Sequence, residues 1–412
     1  MAPSGSPGGP PSGSLALVIY CAFAVAEEAV STGTSEDREV GIIFGTRPEV
    51  IKLFPVIEEL RAAKGLRPVV IFTGQHRELA SQAMEELGIS PDFDLGLMEP
   101  NQQPWEFLAR ATTTISGLLS EGRLDFVLVQ GDTTSTLAGA LGAYYCKIPA
   151  GHVEAGLRTA DKHSPFPEEM NRRLVSTIVD LHFAPTERAR KNLLKEGVDE
   201  STVFVTGNTV VDALQRAMNL PGCEAALGNL PIGSGRLVVV TLHRRETFGE
   251  PLRGLLTALK EVLEERGDVE MVFPVHPNPE VKGNATKILG NVERVHLIDP
   301  LPYPAFLRLL NQSYMVVTDS GGIQEEAPVL GKPVVVVRQV TERGEAVEAG
   351  AAILAGTDGE SLKAEVFRLL DDGTLHEQMG LRRSLFGDGR SAARIVAEVT
   401  RMVLEGSGGR DG

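Results

Sequence analysis

From Glu39 onward the chain alternates short runs of Val, Ile and Phe with helix-length amphipathic segments. This alternation restricts the fold more than any other feature. Strands separated by helices are joined by crossovers, which makes the sheet parallel and covers both of its faces. Strands are predicted at 40–44, 69–73, 126–129, 150–153, 181–184 and 203–206. After a Pro/Gly-rich segment at 221–235, a second set is predicted at 237–241, 271–275, 295–298, 315–318 and 334–337. A chain of 412 residues exceeds one ordinary core of about 100–200 residues. The expectation is therefore an α/β protein of two Rossmann-like domains, residues 39–208 and 209–394, with parallel sheets facing across a cleft. Residues 395–412 read as a helix and tail returning to the first domain. In such sheets ligands meet the carboxyl ends of strands, so chemistry belongs just after them.

Composition narrows the function classes. The chain is 42% hydrophobic and 23% charged, as in globular enzymes, and its formal net charge of -15 opposes binding to a phosphate backbone. No nucleic-acid or membrane partner is expected. The three cysteines, Cys21, Cys146 and Cys223, lack C-x-x-C spacing, so neither a disulfide framework nor a metal site is supported, and a reducing, cytoplasmic compartment is the default. Residues 1–38 open with a Pro/Gly/Ser-rich run. The apolar stretch at 15–26 is short for a membrane span and lacks a basic leader, so this segment reads as a disordered or non-native extension.

Several strand ends carry polar groups. In Gly45-Thr46-Arg47-Pro48-Glu49, Thr46 and Glu49 form a capping box, which leaves Arg47 and Lys52 as cations near a helix start, where the macrodipole favours an anion. Asp132, after the third strand, reads as either an N-cap or a functional carboxylate. Glu154 sits at an apolar strand end, where it either pairs with Arg158 or acts as an acid or base with a pKa raised by its setting. Glu168 and Glu169 precede a helix, where acids are expected on electrostatic grounds alone. In the second half, His243, Arg244 and Arg245 follow one strand and a lone His276 follows another. The run Ser320-Gly321-Gly322 leads into a helix bearing Gln324, Glu325 and Glu326, a backbone suited to a phosphate beside carboxylates suited to ribose hydroxyls. Neither an NAD fingerprint nor a P-loop is present.

Together these segments, FGTRPEVIK, GQHRE, QGDTTST, GHVEAGLR, FPEEMNRR, TGNTVVDAL, LHRRE, FPVHPNP, TDSGGIQEEAP and TERGEAVEAG, resemble the non-hydrolysing bacterial and archaeal UDP-GlcNAc 2-epimerases over nearly everything from Glu39 to the C-terminal helix. The resemblance implies a GT-B-type fold, a homodimer, no cofactor, and UDP-GlcNAc or UDP-ManNAc bound between the domains. It places Asp132, Glu154, Glu168 and His243 in the catalytic set. It places Arg47, Lys52, Phe306, Ser320, Gly321, Gly322, Glu326 and Arg343 on the substrate, and Gln75, His76, Arg245 and His276 near a second, activating nucleotide-sugar site. Two positions depart from the family pattern: Gly344 replaces a proline beside Arg343, and Leu301 stands where a glutamine is common.

The implied chemistry begins with departure of UDP from carbon 1, which acidifies the hydrogen at carbon 2. Elimination gives 2-acetamidoglucal, and UDP returns after reprotonation on the opposite face. ManNAc units for surface polysaccharide or glycan synthesis are the implied output. A GT-B glycosyltransferase, a hydrolysing epimerase and a sugar-nucleotide sensor remain as alternatives at this point.

Overall fold

In the computed structural model the apolar runs pair as parallel strands, their β-branched side chains packing both sheet faces. The structure describes residues 37–122, 124–159, 161–220, 233–244, 247–381 and 385–405. The first sheet has seven strands in the order β3-β2-β1-β4-β5-β6-β7. These are β1 (Arg38–Phe44), β2 (Leu66–Phe72), β3 (Phe93–Asp94), β4 (Phe126–Gln130), β5 (Ala150–Val153), β6 (Leu181–Ala184) and β7 (Val203–Val205). The second has six, β10-β9-β8-β11-β12-β13: β8 (Arg236–Thr241), β9 (Val269–Pro274), β10 (Val295–Ile298), β11 (Met315–Thr318), β12 (Val334–Val336) and β13 (Ala352–Leu354). Strands β3 and β13, two and three residues long, are not among the predicted strands. Most of the extension expected at 1–38 lies outside the described residues, while Arg38 already belongs to β1.

Each sheet grows in opposite directions from its first strand. The connections after β1 and β4 therefore leave toward opposite faces, as do those after β8 and β11, and each divergence opens a crevice at the strand ends. The crevices meet because the lobes share one apolar core. Helices α1 (Arg47–Ala62), α7 (Thr209–Ala217), α10 (Tyr303–Gln312) and α15 (Ser391–Thr400) contribute Ile57, Leu60, Leu214, Leu307, Leu310, Ile395 and Val399 to it. Helix α15, from the end of the chain, packs on α1 and α7. Asp212 fixes its start by accepting the backbone N–H groups of Ser391 and Ala392 at 3.2 and 2.9 Å. Among the described residues no helix is long and apolar enough to cross a membrane.

Candidate active site

The first crevice is pinned by Glu49. Its Oε2 accepts the N–H groups of Gly45 (3.0 Å) and Thr46 (2.7 Å), while Oε1 accepts the hydroxyls of Thr133 (2.7 Å) and Thr136 (2.9 Å). The Glu49 half of the capping box is made, while the Thr46 hydroxyl is left without a partner, and the same carboxylate also ties the loop after β1 to the loop after β4. Burial pushes the Glu49 carboxyl up, against the pull of these donors.

Asp132 is not a helix cap. Thr133 caps α4 (Thr134–Tyr145) through the N–H of Thr136, since its side chain is the one in line with the helix start. Asp132 instead pairs with Arg172 at 3.0 Å, and its backbone carbonyl accepts from Asn171. Both partners lie on α5 (Glu168–Ile178). Burial pushes the Asp132 carboxyl up to about 6; Arg172 pulls against this, and Glu154 adds to it.

Glu154 follows β5 in a left-handed conformation, φ 67°, which turns its side chain out of the strand and into the cleft between the lobes. The pairing with Arg158 is not made, because Arg158 forks onto Glu196 at 2.9 and 2.7 Å. Glu154 pairs with Lys52 and with Arg343 (3.4 Å), and accepts from Gln130 (2.6 Å) and Asn208 (3.1 Å). The expectation of a raised pKa is overturned. Burial alone would raise it, but Lys52 and Arg343 hold the carboxyl down at about 2. Lys52 also meets Glu325 at 2.9 Å, and these two carboxylates outweigh the cost of burying its ammonium. The protein's own carboxylates thus answer the conflict seen in sequence between this cation and the helix start.

Asp319 pins the second crevice as Glu49 does the first. Its Oδ2 accepts the N–H groups of His243 and Arg244, both at 2.9 Å, joining the loops after β8 and β11. His243 Nδ1 lies 3.1 Å from Asp319 Oδ1, and the His243 ring stacks on His276, centroids 5.8 Å apart. His276 is therefore not a lone residue; burial and the His243 ring lower its pKa. A Cβ on Gly321 would stand 3.1 Å from Glu342 and 3.7 Å from both Arg244 and Arg343, so bare backbone faces the guanidinium groups here. Helix α11 (Ile323–Val329) follows from Ser320-Gly321-Gly322. On it, Glu325 accepts from Arg343 Nε at 2.8 Å, while burial pushes Glu326, with Tyr303 and Arg47 nearby, up to about 7. Phe306, on α10, is half-buried against the shared core.

A cleft of about 830 Å³ runs from His243 and Arg244 past Glu168 to Gln75 and His76. Glu168 lines it and has a buried, unbonded carboxylate oxygen. Its neighbour Glu169 is fully enclosed, bonded to Thr159 N–H at 3.0 Å and paired with Arg173 at 2.9 Å, which separates two acids that sequence could not tell apart. Gln75 accepts from the Ser135 backbone at 3.0 Å. Arg245 lies outside the described residues; Arg244 is the arginine that lines the cleft. Sequence reasoning missed Gln130, Arg172, Asn208 and Glu342 as members of the site. All four lie within the quoted motifs, and Arg172 left a further signal, standing one helical turn after Glu168 on the same face.

Comparison with known proteins matches this arrangement. Residues 58–400 fit the family model described as UDP-N-acetylglucosamine 2-epimerase. The chain belongs to the UDP-N-acetylglucosamine 2-epimerase family. The Bacillus subtilis UDP-N-acetylglucosamine 2-epimerase is 44% identical over 361 residues, 88% of this chain and 94% of its own length. The Escherichia coli enzyme of that name is 45% identical over 361 residues, 86% and 96% respectively. Among solved structures, the Neisseria meningitidis UDP-GlcNAc 2-epimerase bound to UDP-GlcNAc superposes with a TM-score of 0.84 at 40% identity, covering 88% of this chain and all of that one, 100%. Membership makes the chain an isomerase with the two-sheet fold of these relatives.

Proposed function

We propose that this chain interconverts UDP-GlcNAc and UDP-ManNAc without net hydrolysis, by eliminating UDP to 2-acetamidoglucal and adding it back. The observation that carries this reading is the different setting of two carboxylates of one lobe: Glu154 is paired with cations from both lobes, Lys52 and Arg343, which hold its carboxyl down, whereas Asp132 meets Arg172 and burial pushes its carboxyl up. Carboxylates driven apart in this way separate proton transfer from charge stabilisation. Asp132 titrates near working pH and exchanges the carbon-2 proton on one face. Glu168, with its unbonded oxygen, serves the other face. Glu154 stays ionised and orients the cations.

Lys52, Arg47, Arg343 and the Ser320-Gly321-Gly322 backbone take up charge as the bond from carbon 1 to the diphosphate breaks, with His243 beside them. Glu326 and Phe306 hold the nucleoside portion. No redox step occurs, so the route needs no cofactor. Gln75 and His76, at one end of the cleft, together with Arg245 and with His276 behind His243, take a second, activating nucleotide sugar. In the same reading residues 39–208 and 209–394 are the two domains. The enzyme is a cytoplasmic homodimer supplying ManNAc units for glycan synthesis.

Proton NMR of UDP-GlcNAc in deuterated water tests the reaction directly. UDP-ManNAc carrying deuterium at carbon 2 is expected. Free ManNAc with UDP, or no exchange at all, would overturn the non-hydrolysing reading.

A further inference from the structure

Four charged side chains alternate around the junction of the lobes. Lys52 and Glu154 come from the N-terminal lobe, Glu325 and Arg343 from the C-terminal one. Lys52 pairs with Glu154 and, at 2.9 Å, with Glu325; Arg343 pairs with Glu325 at 2.8 Å and with Glu154 at 3.4 Å. The ring is closed, is balanced when all four groups are ionised, and takes one charge of each sign from each lobe; outside it, Arg343 also meets Glu342 at 3.0 Å. Its members are nearly dry: the side-chain exposures are 6% for Lys52, 6% for Glu154, 1% for Glu325 and 10% for Arg343.

The two carboxylates are held differently. Glu154 is also bonded to Gln130 and Asn208, which fix it within its own lobe. Glu325 is hydrogen-bonded to Arg343 through one oxygen, and its other oxygen lies 2.9 Å from the Lys52 ammonium across the cleft as a charge contact. Two buried cations side by side repel strongly unless a counter-charge lies between them. Without Glu325, Lys52 would keep only Glu154 of its two carboxylates, while Arg343 would keep Glu154 and Glu342, the latter at 3.0 Å.

We propose that Glu325 is a positioning residue that holds Lys52 and Arg343 together across the junction and makes closure of the lobes depend on that bridge. This rests on the reading above, in which the same two cations meet the departing diphosphate. In this role Glu325 needs no contact with the sugar or with the proton being moved. It acts through the placement of the cations.

The isosteric variant Glu325→Gln separates this role from packing. It removes one of the two carboxylates that stand between Lys52 and Arg343 and leaves Glu154 as the one shared counter-charge, so the lobes should part: small-angle X-ray scattering should show a larger radius of gyration than for the unsubstituted enzyme. Saturating UDP, an anion that replaces the missing charge, should restore the compact form. With UDP-GlcNAc, kcat should fall at least about tenfold while KM changes less than about threefold, because the sugar nucleotide still draws in both cations but their aim is loosened. The double variant Lys52→Met with Glu325→Gln removes one charge of each sign and should be compact without UDP, though inactive.

Scattering from Glu325→Gln identical to that of the unsubstituted enzyme overturns the proposal. So does a double variant as open as the single one. Should the single variant fail to fold, a folded and compact double variant supports the charge argument, and one that also fails to fold defeats it. Scattering needs no turnover, so a lack of epimerisation by the unsubstituted enzyme would defeat the assigned reaction while leaving this result standing or falling by itself.

Discussion

Asp132 and Glu154 show how neighbours, rather than residue type, assign chemistry. Both are carboxylates of the first lobe, yet Arg172 only partly offsets burial at Asp132, whereas Lys52 and Arg343 together overcome it at Glu154. Asp132→Asn should lower kcat by about 100-fold or more, the scale of a lost acid–base group, with UDP affinity by calorimetry changed little. If Asp132 takes the proton, kcat/KM falls as pH drops through about 6, its folded pKa. That acid limb is the feature to look for in the profile. Glu326 offers a stability test. Its pKa rises from 4.5 to about 7 on folding, so between those values the folded state keeps a proton that the unfolded chain has released. Stability therefore declines as pH rises through that window and levels off above it. Glu326→Gln should remove this slope and gain up to about 3 kcal/mol above pH 7 in denaturant titrations. An unchanged slope would assign the pH dependence to other groups.

At the scale of elements, each sheet uses one buried carboxylate to join the two loops at its switch point, Glu49 in the first and Asp319 in the second. Glu49→Ala would leave the N–H groups of Gly45 and Thr46 without their acceptor and cut the tie to Thr133 and Thr136, whose hydroxyls keep each other and the Gln130 carbonyl. A loss of about 2–4 kcal/mol is expected, together with reduced turnover, because the loops carrying Arg47 and Asp132 come apart. Gly156 limits the turn after Glu154 in a different way. At φ 90°, its Cβ would stand 2.2 Å from the carbonyl oxygen of Ala189 on α6 (Glu187–Lys195). Gly156→Ala should cost about 3 kcal/mol or more, since backbone cannot yield as a side-chain tip can. A thermal midpoint within a degree of the unsubstituted protein would contradict that contact.

Across the whole molecule, the shared core and the returning helix α15 bind the lobes into one unit. Two domains joined only by a linker melt separately. Here a single calorimetric transition is expected, with calorimetric and van't Hoff enthalpies in agreement. UDP at about 100 times its dissociation constant should raise the stability of that unit by about 2.7 kcal/mol. Two resolved transitions would mean that the lobes unfold independently despite the core they share.

The sequence by itself determined the two parallel sheets, because runs such as Val238-Val239-Val240 between helix-length segments leave little else to build, and it determined the family through ordered motifs on nearly every strand end. It also identified Lys52, Asp132, Glu154, Glu168 and Arg343 as residues worth following. Only the tertiary structure decided which charges meet. Glu154 finds Lys52 102 positions away and Arg343 189 positions away rather than its neighbour Arg158, and Glu168 rather than Glu169 faces the cleft. Local patterning is written by backbone geometry over a few residues, whereas electrostatic partners in a two-lobed cleft are chosen by how the lobes close on one another. That distance in sequence is why the role of Glu325, between Lys52 and Arg343, could not be read along the chain.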